Sequence, residues 1–286
     1  MTDKSLSISR RSFLTSLGAA ALAAQATART DSVEVGVCAK SADLENAIHY
    51  GFDYLEPSVA EISEMDETKF AAFKARVLAS PIRCECFNSF IRTLRVVGDK
   101  VDHAALQDYL ESSLERCRQL GGSIVVWGSA GSRNVPPGYS RTAAWQQMKD
   151  FLRQAGKVAK SKGIVIAIEP LRKKESNIIN TGAEALRLVR ETGHPNVKMI
   201  IDYYHMREEN EDPQIVWKAR KEIVHFHFAN PQGRRWPRDV GEDPLYGRFF
   251  ALMKRIHFRG GISIEGRGTF ANDAAASMEF FRRELA

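Results

Sequence analysis

The stretch that decides the fold reads Ile164-Val165-Ile166-Ala167-Ile168-Glu169. Its near-continuous apolar character is typical of a strand buried on both faces, as in a parallel sheet that helices cover. An ionisable side chain that closes such a run is costly unless it is paired or bound to a metal ion. The stretch therefore predicts a buried parallel strand with a functional carboxylate at its end.

The same kind of short, β-rich run recurs along the chain. The predicted strands are Val33–Val37, Phe52–Glu56, Ile82–Asn88, Ser123–Trp127, Ile164–Glu169, Val197–Asp202, Ile223–Phe228 and Gly261–Glu265. Between them lie amphipathic stretches with apolar residues three and four apart, for example Leu106, Leu110, Leu114 and Cys117. Eight strand–helix units over about 250 residues fit the α/β class and predict a (β/α)8 TIM barrel that forms a single domain. A doubly wound sheet is the alternative, but no GxGxxG follows the first strand.

The N-terminus carries an export signal. The twin-arginine pair Arg10-Arg11 precedes an alanine-rich apolar run over residues 17–24, and two A-x-A cleavage candidates follow at residues 24–28. The run is too short to span a bilayer core of about 30 Å. We predict a twin-arginine signal peptide over residues 1–28, a barrel over residues 29–286, and a periplasmic or secreted protein without membrane attachment after cleavage.

Composition weakens some other classes of function. The formal charge is +6 and the pI is near 9.1, but the 41 basic residues are interleaved with 35 acidic ones. Because no run of five or six like charges occurs, a nucleic-acid partner is disfavoured. The four cysteines, Cys38, Cys84, Cys86 and Cys117, form no CxxC pair, and we interpret them as buried small hydrophobic residues. The sequence does not decide whether Cys38 contacts Cys84 or Cys86 on a neighbouring strand.

Polar groups close four consecutive predicted strands, namely Glu169, Asp202, His227 and Glu265. Each alone has an ordinary explanation, such as a helix N-cap, a salt bridge or a core histidine. Together they predict a site, because barrel enzymes place their chemistry where strands end. Three carboxylates and one imidazole suit manganese, magnesium or cobalt better than a thiolate-preferring metal. His225 and His227 share a strand face, and we assign the metal to His227 because it lies nearer the end of the strand.

At these residues the sequence resembles the sugar isomerase/epimerase branch of the xylose-isomerase-like superfamily, which includes ketose 3-epimerases, hydroxypyruvate isomerases and inosose dehydratases. The resemblance is densest from Val165 to Glu265. It rests on four segments: Glu169-Pro170-Leu171 with Glu175, Asp202-Tyr203-Tyr204-His205, His225-Phe226-His227-Phe228-Ala229, and Gly260-Gly261-Ile262-Ser263-Ile264-Glu265. The loop after the third strand, Phe87-Asn88-Ser89-Phe90, is also similar.

The resemblance implies a metal held by Glu169, Asp202, His227 and Glu265, with manganese expected and magnesium, cobalt or zinc as alternatives. Glu169 and Glu265 would also form the acid/base pair of an enediolate mechanism on a carbohydrate substrate. The implied substrate-binding residues are Glu175, His205, Asn88 and one arginine of Arg234-Arg235. A homo-oligomer is compatible with this class.

One departure concerns the arginine that many family members carry six residues after the metal histidine, because that position is Gly233 here. The role would pass to Arg234 or Arg235. A sugar dehydratase or lyase and a non-catalytic exported sugar-binding barrel are the alternative functions. The endonuclease branch of the superfamily is disfavoured, because strands 2 to 4 offer Glu56, Asn88 and Ser129 but no histidine.

Overall fold

A computed structural model describes residues 32–286. Its eight strands are parallel and hydrogen-bonded in the order β2-β1-β8-β7-β6-β5-β4-β3. They are β1 Glu34–Cys38, β2 Tyr54–Glu56, β3 Cys86–Phe87, β4 Ile124–Trp127, β5 Val165–Ile168, β6 Val197–Asp202, β7 Ile223–Phe228 and β8 Gly261–Ile264. The isolated bridges Tyr54–Arg83 and Ser58–Asn88 join β2 to the β3 segment. The predicted α/β barrel is confirmed.

Helices follow the strands. They are α1 Leu44–His49, α2 Val59–Glu64, α3 Glu67–Ala79, α4 His103–Gln119, α5 Ala130–Arg133, α6 Arg141–Ser161, α7 Gly182–Thr192, α8 Tyr203–Glu208, α9 Ile215–Lys218, α10 Tyr246–Arg255 and α11 Phe270–Leu285. Several begin at a side-chain cap, for example Asp102 of α4 and Thr181 of α7, which accept a hydrogen bond from the backbone N–H three residues on. The predicted apolar face of α4 is buried at Leu106, Leu110, Leu114 and Cys117.

Two groups of buried side chains fill the molecule. The larger lies between sheet and helices and includes Val125 and Trp127 of β4. The alternate residues of β4, Ile124 and Val126, belong to a smaller group with Tyr54 and Cys86 inside the barrel. Tyr54 lies so close to β1 that a Cβ at Gly36 would sit 2.1 Å from its ring. A glycine on the neighbouring strand is therefore what admits the Tyr54 ring to the barrel interior.

The third strand differs from the prediction. Only Cys86 and Phe87 of the predicted strand Ile82–Asn88 form a regular ladder, and they pair with β4 alone. The preceding residues meet β2 at the single bridge of Arg83, so the alternating run there does not form a continuous strand. All four cysteines are free, and Cys84 and Cys86 lie in different buried groups, as alternation along a strand requires.

The predicted signal peptide, residues 1–28, lies outside the described residues and stays a prediction, which N-terminal sequencing of the mature protein would check. Among the helices of residues 32–286, none has both the length and the apolar character needed to cross a membrane.

Candidate active site

The four predicted ligands come together at the carboxyl ends of β5 to β8. Glu169 and Glu265 directly follow β5 and β8, Asp202 ends β6, and His227 is the penultimate residue of β7. One ligand atom from each of the four lies within 4.8 Å of the others. Glu169, Asp202 and His227 are buried, whereas the Glu265 side chain is 26% exposed. The site is therefore a buried cluster that is open on the Glu265 side.

Glu169 is held in place by the chain that follows β4. The buried guanidinium of Arg133 donates hydrogen bonds to the backbone carbonyls of Trp127 at 2.8 Å and of Glu169 at 2.7 Å. At Gly128 an added Cβ would lie 1.7 Å from the Glu169 carboxylate. The absence of a side chain there is what gives the carboxylate its room.

Asp202 has two separate roles for its two carboxylate oxygens. Oδ1 accepts a hydrogen bond from the backbone N–H of His205 at 3.0 Å and thereby caps α8. Oδ2 is buried and has no hydrogen-bond partner. A buried, unpartnered carboxylate oxygen is costly unless a ligand satisfies it, so Asp202 fits a metal ligand as well as a helix cap.

The two histidines of β7 both point into the barrel but differ in their neighbours. His227 Nδ1 faces Glu169 at 3.2 Å and Glu265 at 3.4 Å. His225 lies deeper and meets the carboxylate of Glu56 at 3.0 Å. Of these two histidines, His227 is therefore the one whose nitrogen faces the four-residue cluster.

Glu56 is a buried residue that contacts both histidines of β7, and the sequence did not predict these contacts. Its carboxylate contacts Nε2 of His227 at 2.8 Å and Nε2 of His225 at 3.0 Å. The feature that could have identified it is the one that identified the four predicted ligands, because Glu56 also lies at the end of a buried strand. The sequence does not show that this carboxylate lies beside both histidines of β7.

The surroundings of the three carboxylates move their pKa values in different directions. Burial, together with the neighbouring Glu265, raises the pKa of Glu169. Burial also raises the pKa of Asp202, to about 6. For Glu265 burial acts in the same sense, but His227 and Arg234 outweigh it and lower the pKa to about 2. Three clustered carboxylates with one free oxygen suit a divalent cation, so the residues present fit a metal centre.

His205 presents a hydrogen-bond donor to the site. Its Nδ1 accepts a hydrogen bond from the backbone N–H of Arg172 at 3.2 Å, and burial lowers its pKa. In the neutral ring the proton must then lie on Nε2, which is buried without a hydrogen-bond partner, 4.0 Å from Asp202 Oδ2. An oxygen of a bound molecule could accept this hydrogen bond.

Of the two candidate arginines, only Arg234 reaches the site. Its guanidinium donates to Glu265 at 2.6 Å, lies 3.9 Å from Asp202 and packs over the ring of Tyr204. Arg235 is exposed and its Nε donates to the carbonyl of Gln232. The backbone of Arg235 bridges to Asn230 and Arg267, so of the two arginines Arg234 is the one that the structure brings to the cluster.

Two cavities flank the glutamates, and both are lined by Glu175 and Glu265. One, of about 290 Å³, includes Asn88, Ser129 and Arg92. The other, of about 540 Å³, includes Arg172, Tyr204, Arg234 and Arg267. Glu175 also accepts a hydrogen bond from Arg172 at 2.7 Å. The predicted residues Asn88 and Glu175 therefore border the space above the cluster.

This arrangement of four ligand residues on β5 to β8 accompanies a match to a known family. The family model described as "Xylose isomerase-like TIM barrel" matches residues 44–284. The chain belongs to this family.

The chain is also similar to several sugar epimerases. A 3-dehydro-D-guloside 4-epimerase of Escherichia coli K12 is 28% identical over 76% of this chain and 83% of its own length. An L-ribulose 3-epimerase of Methylomonas sp. DH-1 is 34% identical over 78% of this chain and 76% of its own length. The crystal structure of a Methylomonas sp. D-allulose 3-epimerase in complex with D-allulose superposes with a TM-score of 0.77, at 22% identity, over 91% of this chain and 99% of that one. That structural likeness supports the fold alone.

Proposed function

We propose that this protein is a divalent-metal-dependent sugar epimerase or isomerase that removes a proton from a carbon next to a carbonyl. The observation that carries the proposal is the placement of Glu169 and Glu265, two carboxylates that reach one four-residue cluster from the ends of different strands. Two carboxylates at one site suit a reaction in which one takes a proton and the other supplies one. They reach the cluster from β5 and β8, strands that β6 and β7 separate.

Glu169, Asp202, His227 and Glu265 would hold the ion, for which Mn²⁺ is our first expectation. When bound, it would supply positive charge beside the substrate oxygens on which negative charge develops. His205 would donate its Nε2–H to a substrate oxygen, and Arg234 would orient Glu265 through the 2.6 Å hydrogen bond. Taking a proton from one face and returning it on the other inverts the carbon, whereas returning it to the neighbouring carbon gives aldose–ketose isomerisation.

The substrate class that we favour is an oxidised sugar that bears a substituent, such as a keto-glycoside. Space on both sides of Glu175 and Glu265 could hold a sugar ring in one cavity and a substituent in the other. One of the relatives is named as an epimerase of a 3-dehydro-glycoside. A free ketose is the alternative, in keeping with the relative named as an L-ribulose epimerase.

The test is incorporation of solvent deuterium into a panel of free ketoses and keto-glycosides by the Mn²⁺-loaded protein. We expect one deuteron at the carbon next to the carbonyl, together with the inverted or isomerised product. Loss of the substituent in place of either product would favour the lyase. A metal-loaded protein that exchanges no proton on any panel member would favour the non-catalytic sugar-binding barrel and contradict the proposal.

Arg234 and its neighbour provide a matched pair of variants. We expect Arg234→Met to lower kcat/KM by about 10–100-fold, since a hydrogen bond to a charged group is worth about 1.5–3 kcal/mol. Arg235→Met should leave kcat/KM unchanged, because Arg235 is exposed and outside the cluster. Steady-state kinetics on the best panel substrate would measure both, and equal losses in the two variants would contradict the assignment.

A further inference from the structure

Glu56 is a fully buried carboxylate at the end of β2, below the four-residue cluster. Within residues 32–286 its ion pairs are with His225 and His227, not with a lysine or arginine. Oε1 contacts Nε2 of His227 at 2.8 Å. Oε2 accepts a hydrogen bond from the hydroxyl of Ser263 at 2.5 Å and contacts Nε2 of His225 at 3.0 Å. Burial of such a charge costs several kcal/mol of desolvation. An apolar residue of similar size would fill the same space without that cost, so packing alone does not explain a carboxylate here.

The contacts around Glu56 determine which nitrogen of His227 carries a proton. An ionised carboxylate only accepts hydrogen bonds, so the Nε2 atom that faces it must be the donor. Ser263 donates its hydroxyl hydrogen to Oε2 of Glu56 at 2.5 Å, so the carboxylate acts as an acceptor towards this neighbour as well. His227 Nδ1 is then the nitrogen that faces Glu169 and Glu265. A histidine ligand must offer an unprotonated nitrogen, and Nδ1 is the one in position.

We propose that Glu56 is a positioning residue that fixes the ring orientation and the Nε2–H tautomer of His227, so that Nδ1 is the metal-ligating atom. This inference rests on the proposed metal-dependent function. Ser263 and Tyr54 extend the arrangement, because the Tyr54 hydroxyl lies 2.8 Å from Ser263 Oγ, which donates to Glu56. Side chains of β7 and β8 therefore contact the carboxylate directly, and Tyr54 of β2 contacts it only through Ser263.

The first experiment compares Glu56→Gln with Ser263→Ala. Glutamine keeps the size of Glu56 but removes its charge, and we expect Mn²⁺ affinity to fall about 10–100-fold, as is typical when a group that orients a ligand is lost. Ser263→Ala removes a donor from Oε2 and leaves the contact between Oε1 and His227 in place, so its effect should be clearly smaller. Calorimetric titration of metal-free protein would measure both. Equal affinities for wild type and Glu56→Gln, or equal losses in the two variants, would overturn the proposal.

The second experiment needs no variant, so it stands even where Glu56→Gln fails to fold. Wild-type protein with ¹⁵N-labelled histidine is loaded with Zn²⁺, and long-range ¹H–¹⁵N correlation identifies the metal-bound nitrogen of each ring. We expect His227 to bind through Nδ1 with a proton on Nε2, and His225 to bind no metal. Metal on Nε2 of His227 would overturn the proposal.

Metal stoichiometry separates the remaining outcomes. Glu56, Cys86 and His225 also lie close enough together to hold an ion. Two ions per chain would make Glu56 a ligand and overturn its role as a hydrogen-bond acceptor. Wild-type protein that binds no divalent ion would overturn the proposed function as well, whereas one bound ion with an unaffected Glu56→Gln variant would overturn the role of Glu56 alone.

Discussion

Glu265→Gln is expected to slow proton exchange on the substrate by about 10²–10⁴-fold, the usual contribution of a general acid or base. The glutamine amide cannot take up the proton, although it keeps the shape of the side chain. The pKa of Glu265 is lowered to about 2 by His227 and Arg234 against the effect of burial, so the wild-type carboxylate is ionised at neutral pH. Deuterium incorporation under saturating Mn²⁺ measures the rate.

Three further variants control this experiment. Glu169→Gln should cause a loss of similar size, and the double variant should lose little more, because residues that act as a unit are not additive. Glu222→Gln removes a carboxylate that pairs with Lys198 next to the start of β7 and should behave as wild type. Retained exchange in Glu265→Gln with bound Mn²⁺ would rule out Glu265 as the acid or base.

Removal of the metal ion is expected to abolish deuterium exchange and to lower the melting temperature. An ion present at about 1,000 times its Kd stabilises the fold by about 4 kcal/mol, which corresponds to about 10 °C in a chain of this size. Calorimetry before and after dialysis against a chelator measures the shift. Readdition of Mn²⁺ should restore both properties, and exchange that survives chelation would contradict metal dependence.

Metal affinity is also expected to depend on pH. Burial raises the pKa of the Asp202 carboxyl to about 6 from 3.8, so it must lose a proton to act as a ligand near or below that pH. In the metal-free protein the stability that this shift contributes is present below pH 3.8 and lost as the pH rises through about 6. We therefore expect Mn²⁺ to bind about tenfold more weakly at pH 5 than at pH 7. Calorimetric titrations at the two values test this, and equal affinities would contradict it.

The sequence predicted the barrel well because the pattern that marks each strand and helix lies within a few consecutive residues. Apolar runs such as residues 164–168 and amphipathic helices such as α4 follow from side-chain periodicity. The β3 segment was predicted poorly, since its pairing depends on neighbours that are remote in sequence. Convergence of Glu169, Asp202, His227 and Glu265 was predictable for a further reason, which is that parallel strands end at the same side of a barrel.

Glu56 and Arg234 show what periodicity leaves undecided. The partners of Glu56 are His225, His227 and Ser263, and each lies more than 160 residues away along the chain. The choice between Arg234 and Arg235 depended on the path of one loop, in which Arg234 has a positive φ of 53°. Neither the contacts of Glu56 nor the path of the Arg234 loop corresponds to a repeating pattern in the sequence.

The capping of α8 by Asp202 has a consequence for how substrate preference could change in this barrel. One carboxylate both offers a free oxygen to the cluster and accepts a hydrogen bond from the backbone N–H of His205, the residue that we propose as a donor to the substrate. The spacing between ligand and donor is thus fixed within a single helical turn. Insertions or replacements in the loops that contain Asn88 and Arg234 could admit a different sugar, while this internal spacing, and with it the chemistry, stays constant.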